Sequence, residues 1–220
     1  MTTTLVTLSR YPDVFEQFHK SAEQYEPDVE KICVRDRREI EAPKGWTTLQ
    51  APDPFGFARN ANIGIKAAWP NDVLLVNDDV SFMSPCVERV EAVAESFPTA
   101  GIIAPVVVGY VKSPIQRGEC RWDDGSVVRE PNIAFACVWL RRKMIEEIGL
   151  LDERFSCSYE DDDYCRRAQK KGWEPVVTNR AFVRHGFGDD FSSTSIKRTF
   201  GGYDGLLEEN GRLFAEKWGL

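Results

Sequence analysis

Three places in this 220-residue sequence gather side chains able to hold a metal or move a proton. The first is Asn77-Asp78-Asp79, directly after the apolar run Val73-Leu74-Leu75-Val76. Carboxylates at the end of a buried strand are held rigidly at a sheet edge, where they can grip a hard cation. A solvated turn is the competing use of the same residue types. The second place runs from Asp152 to Asp163 and holds six carboxylates and one arginine, −5 of the chain's formal −7. Glu160-Asp161-Asp162-Asp163 would open a helix, whose dipole favours acids there, yet four adjacent acids exceed what a cap needs. Mutual repulsion raises the proton affinity of at least one of them. A carboxylate of raised basicity is what general-base removal of a hydroxyl proton requires; an over-charged cap on a solvated face is the bland alternative. The third place is His185, which ends a short strand and leads into a Gly-containing loop. Imidazole there is placed to be a ligand or to serve as an ordinary structural histidine. His19 lies inside a predicted helix and reads as a surface or half-buried residue.

Other chemistries fail on spacing. A twelve-residue calcium loop over 152–163 would put Arg154 at its third position and Cys157 where the turn glycine belongs. Gly186-Phe187-Gly188 lacks the third glycine of a dinucleotide fingerprint, and no GxxxxGK phosphate loop occurs. Cys33, Cys86, Cys120, Cys137, Cys157 and Cys165 contain no CxxC pair, which excludes a zinc ribbon and a thioredoxin-type site. They read as buried free thiols in a reducing cytosol. With 28 Lys+Arg against 35 Asp+Glu, the surface repels phosphate backbones, so nucleic acid is not an expected partner. No apolar run approaches the roughly 20 residues of a membrane span, and the start MTTTLVTLSRYP has no leader pattern. The expected location is cytoplasmic.

These groups need elements to position them. Residues 4–8 predict a strand, and Val14, Phe15, Phe18, Ala22 and Tyr25 recur at helical spacing over 13–25. A second strand over 31–34 leads to Asp36, and residues 42–56 are too polar and broken for a regular element. A helix over Ala58–Ala68 precedes the strand 73–76, apolar throughout as in a strand covered on both faces. Ser84-Pro85 reads as cap and first-turn proline of a helix carrying Val87, Val90, Val93, Ala94 and Phe97. Residues 101–111 predict one or two strands, 112–132 a turn-rich hairpin excursion and 133–140 another strand. A short helix over 141–149 closes on Gly149, and a helix over 160–171 stops at Gly172. Short strands near 174–177 and 181–184 and a last helix over 204–217 complete the chain. This order predicts a single α/β domain over 1–220, a central mixed, mostly parallel sheet flanked by helices. In such sheets ligands bind beyond the carboxyl ends of the strands, and the chemistry-bearing residues follow that rule.

At this point the residues carry a resemblance. The chain resembles the GT-A glycosyltransferases, most closely the bacterial and viral family 2 type. Four segments match in the family's order: FARNANIGIKAA before VLLVNDDV, GLLDERF, EDDDYCRRAQKKG and VRHGFG. The ending ENGRLFAEKWG is also similar, and the resemblance covers essentially the whole chain. It implies the GT-A (nucleotide-diphospho-sugar transferase) fold, with about residues 1–105 binding the nucleotide sugar and about 106–220 the acceptor. It implies a metal-dependent enzyme that moves a sugar from a UDP- or dTDP-sugar to a hydroxyl of a glycan or glycolipid, with inversion.

Residue by residue, the resemblance makes Asn77-Asp78-Asp79 the DXD element, with Asp79 the direct ligand of Mn2+ or Mg2+. Asn77 replaces the first acid and could hydrogen-bond ribose. His185 matches the histidine that completes the metal site in some GT-A enzymes, and imidazole suits Mn2+ better than Mg2+. Ser9, Arg10 and Asp36 would line the base pocket, Asp36 accepting the imide N–H of uracil or thymine. Arg59 and Asn62 would border the sugar diphosphate. Glu160-Asp161 looks like the family's ED pair, with Asp161 the base. Trp122, Trp139 and Tyr159 could stack on a sugar face, core packing being the alternative for each. A retaining GT-A enzyme would share these features, as would a non-catalytic sugar-nucleotide or glycan-binding domain. A pyrophosphorylase-like enzyme would carry a Gly-rich loop after the first strand, and LSRYPDV has none.

Overall fold

The apolar faces predicted from periodicity close onto the two sides of one sheet. The structure, a computed structural model, describes residues 2–109, 111–117, 124–186, 198–202 and 204–220. The first half runs β1 (Thr3–Ser9), α1 (Pro12–Tyr25), β2 (Glu30–Arg35), β3 (Thr47–Gln50), α2 (Phe57–Ala67) and β4 (Asp72–Asn77). After β5 (Val80–Phe82) and α3 (Val87–Ser96) come β6 (Ala100–Gly109), β7 (Val127–Arg129) and β8 (Cys137–Leu140). The chain ends with α4 (Arg142–Ile148), α5 (Glu160–Lys170), β9 (Glu174–His185) and a helix over Asp204–Trp218, here α6.

The sheet order is β3-β2-β1-β4-β8-β6-β9-β5, with β7 also paired to β9. Strands β3, β2, β1 and β4 pair in parallel. Strand β8 runs against both β4 and β6, and β9 is parallel to β6. Six strands therefore point one way, while β5, β7 and β8 point the other. One edge of the sheet thus collects the carboxyl ends of β1, β2, β4, β6 and β9. Helices α2, α4 and α5 cover one face and α1 and α3 the other, each over an apolar cluster. Helix α2 sits very close: a Cβ on Gly64 would stand 2.2 Å from Val6 Cγ1.

Several local expectations are corrected. Residues 42–56 do contain a strand, β3, whose mostly exposed TTLQ pairs with β2 alone. An edge strand with a wet face lacks the apolar run that marks inner strands. Strand β5 is hidden by its length alone, three residues, although Val80 and Phe82 are buried. Residues 174–185 form one strand, not two; the register against β6 slips between Pro105 and Val106, across the polar Thr178-Asn179-Arg180. Helix α3 starts at Val87, and its N-cap Cys86 contributes no side-chain bond. Instead Glu26, just past α1, accepts the N–H of Cys86 and, at 3.2 Å, that of Val87. A cap supplied from a distant element does the work expected of Ser84-Pro85. Cys120, Trp122 and the Phe187-Gly188 part of the glycine loop lie outside the described residues.

Candidate active site at the carboxyl edge of the sheet

Strand β4 ends at Asn77, whose N–H donates to Ala136 O at 2.9 Å. The next residue turns back beside β1, where Ser9 Oγ donates to Asp78 Oδ2 at 2.5 Å. Asp78 is 8% exposed, and burial, then the charge of Asp79, pushes its carboxyl up to about 8. Asp79 faces the other way. Strand β5 returns along β9, which sets Val80 opposite His185, and Gly186 N–H donates to Asp79 O at 2.7 Å. The Asp79 carboxylate lies 3.2 Å from His185 Nε2, and Asp79 Oδ1 is buried without a hydrogen bond. Gly109 makes this approach possible: at φ 112° a Cβ there would stand 2.4 Å from His185 O.

The nucleotide-side residues have divided duties. Arg10 pairs with Asp36, whose side chain is buried and whose Oδ1 has no hydrogen-bond partner. Arg10 also lies 3.5 Å from Asp53. Arg59 Nη2 donates to Pro52 O at 2.7 Å and to Pro54 O, so it braces the loop before α2. Asn62 is 1% exposed and clamps the backbone of Leu151: its Nδ2 donates to Leu151 O at 2.9 Å and its Oδ1 accepts Leu151 N–H at 3.0 Å. The structure therefore brings Ser9, Arg10, Asp36, Asn77, Asp78, Asp79 and His185 to one edge, while Arg59 and Asn62 hold loops.

The acidic stretch reaches the same edge because α5 must descend from it to the start of β9. Its six acids are not equivalent. Asp152 is held well below the usual carboxylate range by Arg154, then by Lys217 at 2.7 Å. Glu153 accepts from Asn62 Nδ2 at 2.9 Å. Asp163 is 0% exposed and takes Arg167 Nε at 2.9 Å, Lys217 Nζ at 2.6 Å and Trp218 Nε1 at 3.1 Å. Asp162 pairs with Lys112 at 2.8 Å. Of these six, Glu160 and Asp161 have neither an ion pair nor a side-chain hydrogen-bond donor among the described residues. Burial, then the charge of Asp161, pushes the Glu160 carboxyl well above its ordinary range, and its Oε2 is buried and unpaired. Burial, then Asp162, pushes Asp161 up to about 6, while its Oδ1 accepts the Asp162 N–H at 2.8 Å. Asp161 is thus an acid that is ionised at neutral pH yet more basic than an ordinary aspartate.

A strained turn presents this pair. Ser158 and Tyr159 both take left-handed backbone, φ 74° and 67°, which costs about 1–3 kcal/mol each for such residues. Helix α6 holds the turn: Asn210 Nδ2 donates to Cys157 O at 2.5 Å, and Phe214 lies 5.4 Å from the Tyr159 ring. Sequence reasoning missed this role of α6, although the ENGRLFAEKWG ending was the available signal. Trp139 is a core residue, 0% exposed, donating to Thr3 Oγ1 at 3.0 Å at the opposite edge. His19 is half-buried on α1 beside Glu16, away from the site.

The donors at Asp79 and His185 fit a divalent cation: Asp79 Oδ1, buried and without a hydrogen bond, lies 3.2 Å from the borderline imidazole Nε2. Among the described residues no group of three or more His, Cys, Asp or Glu side chains converges, so further ligands would come from a bound diphosphate or water.

No family model and no curated protein matches the chain. Solved structures do. A GalNAc-T7 structure with UDP, GalNAc and Mn2+ superposes with TM-score 0.70 over 98% of this chain at 14% identity, using 50% of its own length. S. aureus TarS matches with TM-score 0.63 over 85% of this chain and 37% of that one, at 12% identity. TarS 1–349 in complex with UDP-GlcNAc matches with TM-score 0.62 over 95% and 66%, at 11% identity. The chain thus spans half or less of the first two structures. The likeness shows the GT-A glycosyltransferase fold.

Proposed function

We propose that this chain is a glycosyltransferase that moves a sugar from a UDP- or dTDP-sugar to a hydroxyl of a glycan or glycolipid, with inversion. The observation that carries the reading is the sorting of the acids. Of the six carboxylates in 152–163, the one placed at the ligand-binding edge with no cation partner and a proton affinity near working pH is Asp161. The UDP complexes of structures with this fold support the donor class.

In this reading Asp36 faces the base, Asp79 and His185 hold Mn2+ or Mg2+, and Asp78 supports the turn through Ser9. The bound cation would supply Lewis-acid stabilisation of the departing diphosphate. Asp161 accepts the acceptor hydroxyl proton as that oxygen bonds to the anomeric carbon and the bond from that carbon to the diphosphate oxygen breaks. A single displacement assisted by one base inverts the centre. Glu160, whose burial disfavours its charged form, flanks the base. The buried, unpaired thiols suit a cytoplasmic location, and no helix of the described residues is long and apolar enough to cross a membrane.

A thermal-shift screen of nucleoside diphosphates and sugar nucleotides, with and without Mn2+, tests the reading. The expected result is stabilisation by UDP or dTDP that depends on the cation. If no nucleotide shifts the melting temperature under either condition, the proposal fails.

A further inference from the structure

Asn60 carries a feature that nothing above uses. It is 1% exposed, and neither Oδ1 nor Nδ2 has a hydrogen-bond partner among the described residues. Folded proteins rarely leave both ends of a buried amide unpaired. Its neighbours Arg59 and Asn62 are engaged with loop backbones, so the vacancy belongs to Asn60 itself.

Its place follows from Gly64, one helical turn further on. A Cβ on Gly64 would meet Val6 Cγ1 at 2.2 Å and Val34 Cγ2 at 3.1 Å, so the stripe through positions 60 and 64 faces β1 and β2. Helix α2 descends from the functional edge to the start of β4, which puts Asn60 about 6 Å nearer that edge than Gly64. Strands rise about 3.3 Å per residue, so Asn60 lies level with Leu8–Ser9 and with Arg35–Asp36. Arg10 directly follows β1 and Asp36 directly follows β2, and their side chains pair with each other. Asp36 Oδ1 and Arg10 Nε are likewise buried without partners. Orphaned polar atoms from three residues therefore lie near the ends of β1 and β2.

We propose that Asn60 and Asp36 together read the imide edge of a pyrimidine. Asp36 Oδ1 accepts N3–H of uracil or thymine, and Asn60 Nδ2 donates to the adjacent ring carbonyl. This rests on the UDP- or dTDP-sugar reading and adds to it a second base-reading residue. Cytosine presents a bare N3 to Asp36 and is rejected. Residues 51–55 run beside these strand ends: Ala51 N–H donates to Arg35 O at 2.7 Å, and Arg59 braces the carbonyls of Pro52 and Pro54. Asp53, which faces Arg10 at 3.5 Å, is 76% exposed.

Calorimetry with UDP and with CDP, each with Mn2+, compares the wild type with Asn60→Leu and Asn60→Ala. Leucine fills the space without unpaired groups, so the melting temperature of Asn60→Leu is expected to rise. Its UDP affinity is expected to fall roughly tenfold or more, and the preference for UDP over CDP to shrink. Asn60→Ala gives the same two binding readouts if leucine does not fit. A wild type that binds UDP while both variants keep its affinity and its UDP/CDP ratio overturns the role of Asn60 and leaves the donor reading standing. A wild type that binds neither nucleotide overturns both.

Discussion

Replacing Asp161 with asparagine separates the two consequences of its surroundings, stability and chemistry. Its carboxyl sits at about 6 against an ordinary 3.8 because burial, then Asp162, disfavours the charged form. The Asp162 N–H and Lys112 offset this only in part. A rise of about 2 pH units corresponds to about 3 kcal/mol at ~1.4 kcal/mol per unit. That is a ceiling, because the side chain is only partly buried and solvent screens it. The folded protein binds this proton more tightly than the unfolded chain does. The stability it contributes is therefore whole below about pH 3.8, falls as pH rises towards 6, and is gone above. Asparagine cannot ionise. Asp161→Asn is expected to be more stable than the wild type at about pH 7.5, by up to about 3 kcal/mol, with roughly half that gain at about pH 5. Guanidinium unfolding at the two pH values measures it. The same variant should lose roughly 10²–10⁴ in turnover, read as UDP release from a UDP-sugar with Mn2+. The wild-type rate should fall about tenfold per pH unit below pH 6. A variant that still turns over at the wild-type rate, or that is less stable at neutral pH, would refute the reasoning.

Burial, then the charge of Asp161, pushes the Glu160 carboxyl well above its ordinary range; Glu160→Gln keeps its shape and removes its acidity. Its turnover is expected to stay within roughly tenfold of wild type, and a loss as deep as that of Asp161→Asn would move the base to 160. Asp79→Ala is expected to abolish Mn2+-dependent UDP binding in calorimetry, whereas His185→Ala weakens the metal requirement less, since Asp79 and the diphosphate remain. Undiminished Mn2+-UDP affinity in Asp79→Ala would contradict the ligand assignment. Gly64→Ala places a methyl 2.2 Å from Val6 Cγ1. The expected loss is about 1–3 kcal/mol or more, and an unchanged urea midpoint would show that α2 does not sit so tightly on β1.

The α/β architecture was legible because burial imprints a period on each element. Residues 73–76 are apolar at every position and occupy the middle of the sheet, and Val14, Phe15, Phe18 and Ala22 form the buried stripe of α1. Elements that bury little or are very short left no such trace. Strand β3 shows water three of its four residues, and β5 is too short to display alternation. Capping of α3 was misread because its acceptor, Glu26, lies 60 residues before Cys86.

Sequence by itself determined the order of elements, the placing of Asn77-Asp78-Asp79 and His185 at strand ends, and the crowding of acids at the head of a helix. These are properties of neighbours along the chain, where period and composition suffice. Only the tertiary structure decided which of these acids are given partners. Asp152 is neutralised by Lys217 from 65 residues away, Asp162 by Lys112 from 50, and Asp78 is shielded by Ser9 from 69. A carboxylate's proton affinity depends on the charges and dipoles that surround it in space, and folding brings those partners in from remote parts of the chain.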